Sequence, residues 1–293
     1  MSFALAIHGG AGANPKRDYS EQSAHLNELI RRGGARLQSG AAALDVAVEM
    51  VEALEVSGLY YAGRGAAPNS EGDYELDASV MNGADLNAGA VVSISGIAHP
   101  IAAARKVMEE SPHVTLAGAG AGAFARARGL ETVDEPALYY TGKAGHGGHD
   151  NLVHGTVGAA VLDRQGRLAA ATSTSGTINK MPGRVGDTPL IGAGSWADSS
   201  VAVSCTGHGE FFIRVSAAHD LAARMAYAGA GLAEAARQVL DNVAAIGGDG
   251  GLIAVSRDGG VTMPFNSQGM KCAAITSRHG PCVHVFDRAE DWD

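Results

Sequence analysis

Four short segments bring hydroxyl and charged side chains together with glycine: GTVG at Gly155 to Gly158, TSTSG at Thr172 to Gly176, GRVGD at Gly183 to Asp187, and SCTGHGE from Ser204. A threonine hydroxyl becomes a nucleophile once a base takes its proton, yet threonine is also an ordinary strand residue, and each one alone reads as a half-buried β position. What sets these apart is glycine at the strand ends, which removes side chains where a ligand or a reacting backbone must come close. In GRVGD, Arg184 can give two parallel hydrogen bonds to a carboxylate; an Arg and an Asp three residues apart also describe a common surface ion pair. Cys205 and His208 would make a thiol nucleophile and its base, but three residues apart on a strand they point to opposite faces. His146, His149 and His154 are close enough in sequence to share a transition metal, although no fourth ligand is apparent and a solvated linker is the simpler reading.

These segments need strands and helices to position them. FALAIHGGAG reads as a buried strand entering a glycine turn, followed by helices over Ser20 to Gln38 and Ala41 to Leu54. In the second helix Leu44, Val48 and Val51 share a face with Ala47 and Leu54. A strand at AGAVVSISG precedes helices near Ile101 to Glu109 and Thr115 to Ala127. Leu138 to Gly155, rich in glycine and histidine, reads as a loop. TVGAAVLD and RLAAATSTSG then flank the turn Arg164-Gln165-Gly166 as a hairpin apolar or small on both faces, hence buried on both sides. A strand at VAVSCTG leads to helices near Arg214 to Ala228 and Leu232 to Ala245, and strands GLIAVS, GVTMPF and CVHVFD close the chain. Helix pairs alternating with strand hairpins predict two central sheets covered by helices on their outer faces.

Composition narrows the function. The 293 residues, 46% hydrophobic and 18% charged, suffice for a large core and argue against disorder. Glycine occurs 41 times, about twice the usual share of about 7%. A formal charge of -9 without a basic stripe disfavours nucleic acid. No apolar stretch is long enough to span a bilayer, and MSFALAIHGGAG lacks the features of an export signal, so no membrane is expected. Three cysteines, Cys205, Cys272 and Cys282, without CxxC spacing suggest neither a disulfide framework nor a zinc site, and a cytoplasmic setting is expected.

HGTVGAAVLD, LAAATSTSGTINKMPGRVGDTPLIGAGSWAD and VAVSCTGHGE resemble the plant-type asparaginase and isoaspartyl aminopeptidase family of N-terminal-nucleophile hydrolases, as do AIHGGAG, GGLIAV and MPFNSQGM, so the resemblance covers nearly the whole chain. It implies an α+β fold, a four-layer αββα sandwich forming a single catalytic domain. It also implies a precursor that cuts itself at Gly155-Thr156 into an α subunit of residues 1–155, with a linker at about 138–155, and a β subunit of residues 156–293. Thr156 would then be both nucleophile and, through its new α-amine, base. By the same resemblance Thr174 would hydrogen-bond the nucleophile, with Thr172 either assisting or only packing nearby. Arg184 and Asp187 would grip the substrate's α-carboxylate and α-ammonium, while Thr206 and Gly207 form the oxyanion hole and Gly209 lines the pocket. The activity implied is hydrolysis of isoaspartyl dipeptides and L-asparagine to L-aspartate by a dimer of cleaved protomers, with no catalytic cofactor.

Two departures stand out. His208 lies between the oxyanion residues, where relatives more often have a small or polar residue, and is given no role; Tyr61 in YYAGRG stands where relatives have an asparagine that orders the substrate site. The same region resembles a loop wrapping a structural sodium ion through main-chain carbonyls, at Leu54, Glu55, Ser57, Tyr60, Ala62 and Arg64. Glycosylasparaginase, of the same superfamily, is the competing enzyme reading, and a histidine-rich metal-binding protein the non-enzymatic one.

Overall fold

The computed structural model describes residues 2–140, 155–287 and 291–292. Strand β1 (Ala4–Ala11) leads into helices α1 (Ser20–Gln38) and α2 (Ala43–Val56). The hairpin β2 (Leu76–Asn82) and β3 (Ala88–Ile94) precedes α3 (Pro100–Glu110), β4 (Thr115–Ala117), α4 (Gly118–Ala127) and the single turn α5 (Pro136–Tyr139). A second hairpin, β5 (Val157–Leu162) and β6 (Leu168–Thr174), is followed by β7 (Ser195–Ala197), β8 (Val201–Gly207), α6 (Gly209–Val215), α7 (Ala217–Ala228) and α8 (Leu232–Ala245). Strands β9 (Gly250–Ser256), β10 (Val261–Thr262), β11 (Met270–Thr276) and β12 (Cys282–His284) complete the order.

Eight strands form one sheet, β12-β11-β1-β5-β6-β2-β3-β4, and four form the other, β10-β9-β8-β7. Residues of α1 to α4 bury an apolar layer against the larger sheet, and α6 to α8 bury another against the smaller one. A third apolar layer lies between the sheets, giving the expected αββα sandwich.

Strand alternation explains both layers and site. In β1, Leu5 and Ile7 face the helices while Ala4, Ala6 and His8 face the other sheet. On four strands the facing side changes from apolar to polar over one residue pair, Ala6 to His8 in β1, Ala170 to Thr172 in β6, Met81 to Ser79 in β2 and Ala202 to Ser204 in β8, while in β5 Ala160 gives way to Gly158, which leaves room for those polar side chains. The inter-sheet space is therefore an oily core at one end and a hydroxyl-lined one at the other.

Several boundaries differ from those read in the sequence. The helix expected from Thr115 begins only at Gly118, whose φ of +51° turns the chain after Thr115–Ala117 has paired with β3 as a parallel edge strand. The helix expected from Arg214 to Ala228 is broken at Ser216, in left-handed conformation with φ 50°, into α6 and α7. GVTMPF keeps only Val261–Thr262 as strand, because Pro264 has no N–H to continue a ladder and its carbonyl instead accepts from Leu252. At Leu138 to Tyr140, expected as linker, the chain carries the end of α5, and Tyr140 is buried against Tyr74 with ring centroids 4.1 Å apart. Residues 141–154 of that segment, with His146, His149 and His154, lie outside the described residues.

Candidate active site

Thr156 stands at the head of β5, and the pairing of Val157 with Ser173 brings it beside Thr174 on the inter-sheet face. Its Oγ1 is 3.3 Å from Thr174 Oγ1, and both residues are buried. Thr174 Oγ1 also accepts the Gly176 N–H at 2.9 Å, which fixes that hydroxyl in place. Thr172, two residues back on the same face, does not bond Thr156; its hydroxyl meets Ser195 and Ser204.

Across the gap, Thr206 on β8 accepts the Ala11 N–H at 3.1 Å, so the hydrogen of its own hydroxyl is available to an incoming oxyanion. Gly207 follows it in the left-handed region, φ +150°. At Gly209 a β-carbon would come within 2.8 Å of Asp187 Oδ1, so only glycine lets the Asp187 carboxylate pack there. Asp187 is buried, its Oδ2 has no hydrogen-bond partner among the described residues, and burial pushes its carboxyl up to about 7 against the pull of the Arg184 charge. A buried, unpartnered carboxylate oxygen suits a ligand ammonium.

Arg184 does not pair with Asp187, which disposes of the ion-pair reading. Its guanidinium forks onto Glu210, with Nε to Oε1 at 2.9 Å and Nη2 to Oε2 at 2.8 Å, and this contact holds the Glu210 carboxyl below its ordinary range. Glu210 thus occupies the bidentate geometry a substrate carboxylate would take. Glu210 lies before the helix expected from Arg214, and nothing in the spacing of SCTGHGE links it to Arg184. Two further charged groups escaped the sequence reading. Lys180 is buried and donates to the Glu75 carbonyl at 2.8 Å, and its Nζ and Arg184 Nη1 would come within 3.4 and 3.1 Å of a β-carbon on Gly176. Asp77, opposite Thr174, accepts the Ser93 N–H at 2.7 Å, and burial raises its carboxyl to about 6.

Tyr61 is buried against the junction. A β-carbon on Gly155 would lie 2.1 Å from its ring, so the ring walls the residue that precedes Thr156, and its carbonyl accepts the Ser175 N–H at 2.8 Å. In the loop expected to wrap a cation, main-chain carbonyls pack closely on two glycines. Glu55 O is 2.7 Å from where a β-carbon on Gly63 would be, and Tyr60 O and Gly58 O are 1.9 and 3.0 Å from the same point on Gly65. The Leu54 carbonyl accepts from Ser57 Oγ at 2.8 Å, and the Ala62 carbonyl takes the Gly65 N–H at 3.1 Å. Arg64 lies in the same short turn, its guanidinium carbon 6.0 Å from the Tyr139 ring centre. The Tyr60 carbonyl likewise accepts the Ala62 N–H at 2.8 Å, so three of these carbonyls already have partners within the loop.

Cys205 is buried on the helix side of β8, where burial raises its thiol well above the usual value, while His208 Nδ1 is 3.5 Å from Asp249 Oδ1. All three cysteines are free thiols. Among the described residues no group of three or more His, Cys, Asp or Glu is placed to hold a metal, and no helix is long and apolar enough to cross a membrane.

Comparison with known proteins identifies relatives over most of the chain. A family model described as asparaginase matches residues 1–144 and 138–285. The chain is 48% identical over 290 residues to the isoaspartyl peptidase of Salmonella typhimurium, covering 91% of this chain and 93% of that one. It is 48% identical over 312 residues to the isoaspartyl peptidase of Escherichia coli, covering 98% and 97%. A mouse isoaspartyl peptidase/L-asparaginase is 40% identical over 296 residues, covering 94% and 88%.

Proposed function

The chain belongs to the asparaginase family of N-terminal-nucleophile hydrolases, and from that membership we propose a self-cleaving threonine amidohydrolase acting on isoaspartyl dipeptides and L-asparagine to release L-aspartate. The observation that carries the reading is the buried Thr156 hydroxyl set 3.3 Å from that of Thr174, directly after Gly155.

Cleavage at Gly155-Thr156 frees an α-amine with an ordinary pKa near 8. That amine takes the proton from the hydroxyl of its own residue, which attacks the side-chain carbonyl of the substrate. The negative charge of the tetrahedral intermediate falls on the Thr206 hydroxyl and the Gly207 N–H. The amine then passes its proton to the leaving nitrogen, and water hydrolyses the ester left on Thr156. Arg184 receives the α-carboxylate and Asp187 the α-ammonium, so the reacting carbonyl is held in register with the hydroxyl.

Asparagine and an isoaspartyl dipeptide present the same groups to this clamp, so the leaving group decides between them. A dipeptide sheds a whole amino acid, which needs room but also adds contacts that strengthen toward the transition state. The Tyr61 ring walls the space that Gly155 leaves after cleavage, next to the small Ala62 and Gly63. Isoaspartyl dipeptides should accordingly show higher kcat/KM than L-asparagine in side-by-side kinetics, and a preference for free asparagine would refute the assignment.

The pH profile follows from two groups. The Thr156 amine must be neutral to act as base, and Asp187 must be ionised to hold an ammonium. Asp187 is protonated below about 7 and ionised above it, and the amine loses its proton near 8. Both protons must leave, so log kcat/KM should rise with a slope approaching two below pH 7 and flatten above 8. Asp187→Asn should reduce that slope to one at a lower rate; a wild-type slope of one would exclude the paired requirement.

A further inference from the structure

Behind the row of Thr156, Thr174 and Asp77 runs a second row on the same sheet face. The pairings His8 with Gly158, Gly158 with Thr172 and Thr172 with Ser79 align these residues across four strands, and Ser195 pairs with Ser204 on the opposite sheet. Their side chains meet in the gap. His8 Nδ1 is 3.1 Å from the Thr156 carbonyl and Nε2 is 2.9 Å from Ser204 Oγ. Ser204 meets Thr172 at 2.7 Å, Thr172 meets Ser195 at 2.5 Å, Ser195 meets Ser79 at 3.0 Å, and Ser79 reaches the Thr188 carbonyl at 2.6 Å. The chain ends on the peptide carbonyl next to Asp187.

Counting hydrogens gives the chain a direction. Six links join two carbonyls, which only accept, while a neutral imidazole and four hydroxyls supply five hydrogens. Full burial pushes the His8 ring down to about 3, so it is neutral and supplies no sixth. The carbonyl of Thr156 can bond Nδ1 only if that nitrogen carries the proton, so Ser204 donates to Nε2. Ser79 has one hydrogen for two acceptors, the Thr188 carbonyl at 2.6 Å and Ser195 Oγ at 3.0 Å, so the shortfall falls at Ser79 and whichever it serves leaves Ser195 to donate toward Thr172. Ser195, Thr172 and Ser204 therefore all donate toward His8, each polarising the next and sharpening the Nδ1–H that grips Thr156. Gly158 is part of this construction: a β-carbon there would lie 2.0 Å from Ser204 Oγ and 2.5 Å from His8 Nε2.

We propose that Ser195, Thr172, Ser204 and His8 are positioning residues for the nucleophile, a one-way hydroxyl chain that holds the Thr156 carbonyl. The need is physical. Once cut, Thr156 has no preceding peptide unit, and its carbonyl is the anchor that sets where its amine and hydroxyl point. The inference rests on the functional reading for its kinetic arm, and a second arm is independent of any substrate.

In the kinetic arm, Thr172→Val keeps shape and loses the hydroxyl, whereas Thr172→Ser keeps the hydroxyl and loses a methyl. Thr172→Val should lower kcat about tenfold on an isoaspartyl dipeptide and Ser204→Ala about ten- to a hundredfold, with KM nearly unchanged, and Thr172→Ser should stay near wild type. The reverse order within the Thr172 pair would mark a packing role and overturn the proposal, as would a rise in KM alone. In the second arm, nitrogen-15 NMR of His8 is recorded in full-length Thr156→Ala protein, which retains the carbonyl at that position. The proton should stay on Nδ1 between about pH 6 and 8, and adding Ser204→Ala should shift the Nε2 resonance. A proton on Nε2, or a ring that titrates in that range, would overturn the chain. A wild-type protein inactive on the dipeptides would defeat the functional reading and leave this arm to decide.

Discussion

Thr156→Ala is expected to remain a single 29.7 kDa chain with no hydrolytic activity, while the wild-type protein resolves under denaturing conditions into Met1–Gly155 and Thr156–Asp293. Alanine lacks the hydroxyl that would attack the Gly155 carbonyl, so nucleophile and self-cleavage disappear together. Under native conditions the two wild-type fragments should travel as one species. Strand β1 of the first lies between β11 and β5 of the second, and β6 of the second pairs with β2 of the first. Separating them would tear three ladders and expose both faces of a buried sheet. Intact mass and size exclusion on the same samples check both statements; a Thr156→Ala protein that cut itself would end the proposed mechanism.

That interleaving was legible in outline. Buried strands flanking Arg164-Gln165-Gly166 and the helix at Ser20 to Gln38 follow from periodicity, and both are present. Leu76–Asn82 and Met270–Thr276 were not read as strands, although both lie in the larger sheet. LDASVMN puts Asp77 and Ser79 on a buried face, where alternation predicts either apolar residues or a solvent side, and only the second sheet packed above them explains polar side chains there. The same holds at the site. Thr156 and Thr174 were named from separate motifs and meet at 3.3 Å, and Asp187 packs on Gly209, whereas His8, Lys180 and Glu210 were passed over because their partners are set by sheet register and sheet stacking. Thr172 shows the limit most plainly: one strand face offered it either to Thr156 or to the core, and the partner it has, Ser204, comes from the opposite sheet.

Glu210 also shapes the second large effect. Arg184→Ala should lower kcat/KM about a thousandfold, equivalent to about 4 kcal/mol, while self-cleavage and fold persist. Two losses combine in that number. The substrate carboxylate loses a fork of two charge-assisted hydrogen bonds, and Glu210, which now engages that fork at 2.9 and 2.8 Å, is left as an unpaired negative charge at the pocket where an anion must bind. The two can be separated. Arg184→Lys restores the charge without the planar fork and should recover part of the activity. Adding Glu210→Gln to Arg184→Ala removes the repulsion without restoring the fork, and should recover a different, smaller part, mainly in KM. Glu210→Gln alone frees the guanidinium for substrate and should cost little or lower KM. Self-cleavage should be unaffected in the whole series, because no contact joins Arg184 to Thr156 and the Gly155 carbonyl needs no clamp to stay beside its own neighbour. Turnover of an isoaspartyl dipeptide and the fraction of cut chain, measured on the same preparations, test each step, and normal turnover by Arg184→Ala would show that the carboxylate is held elsewhere.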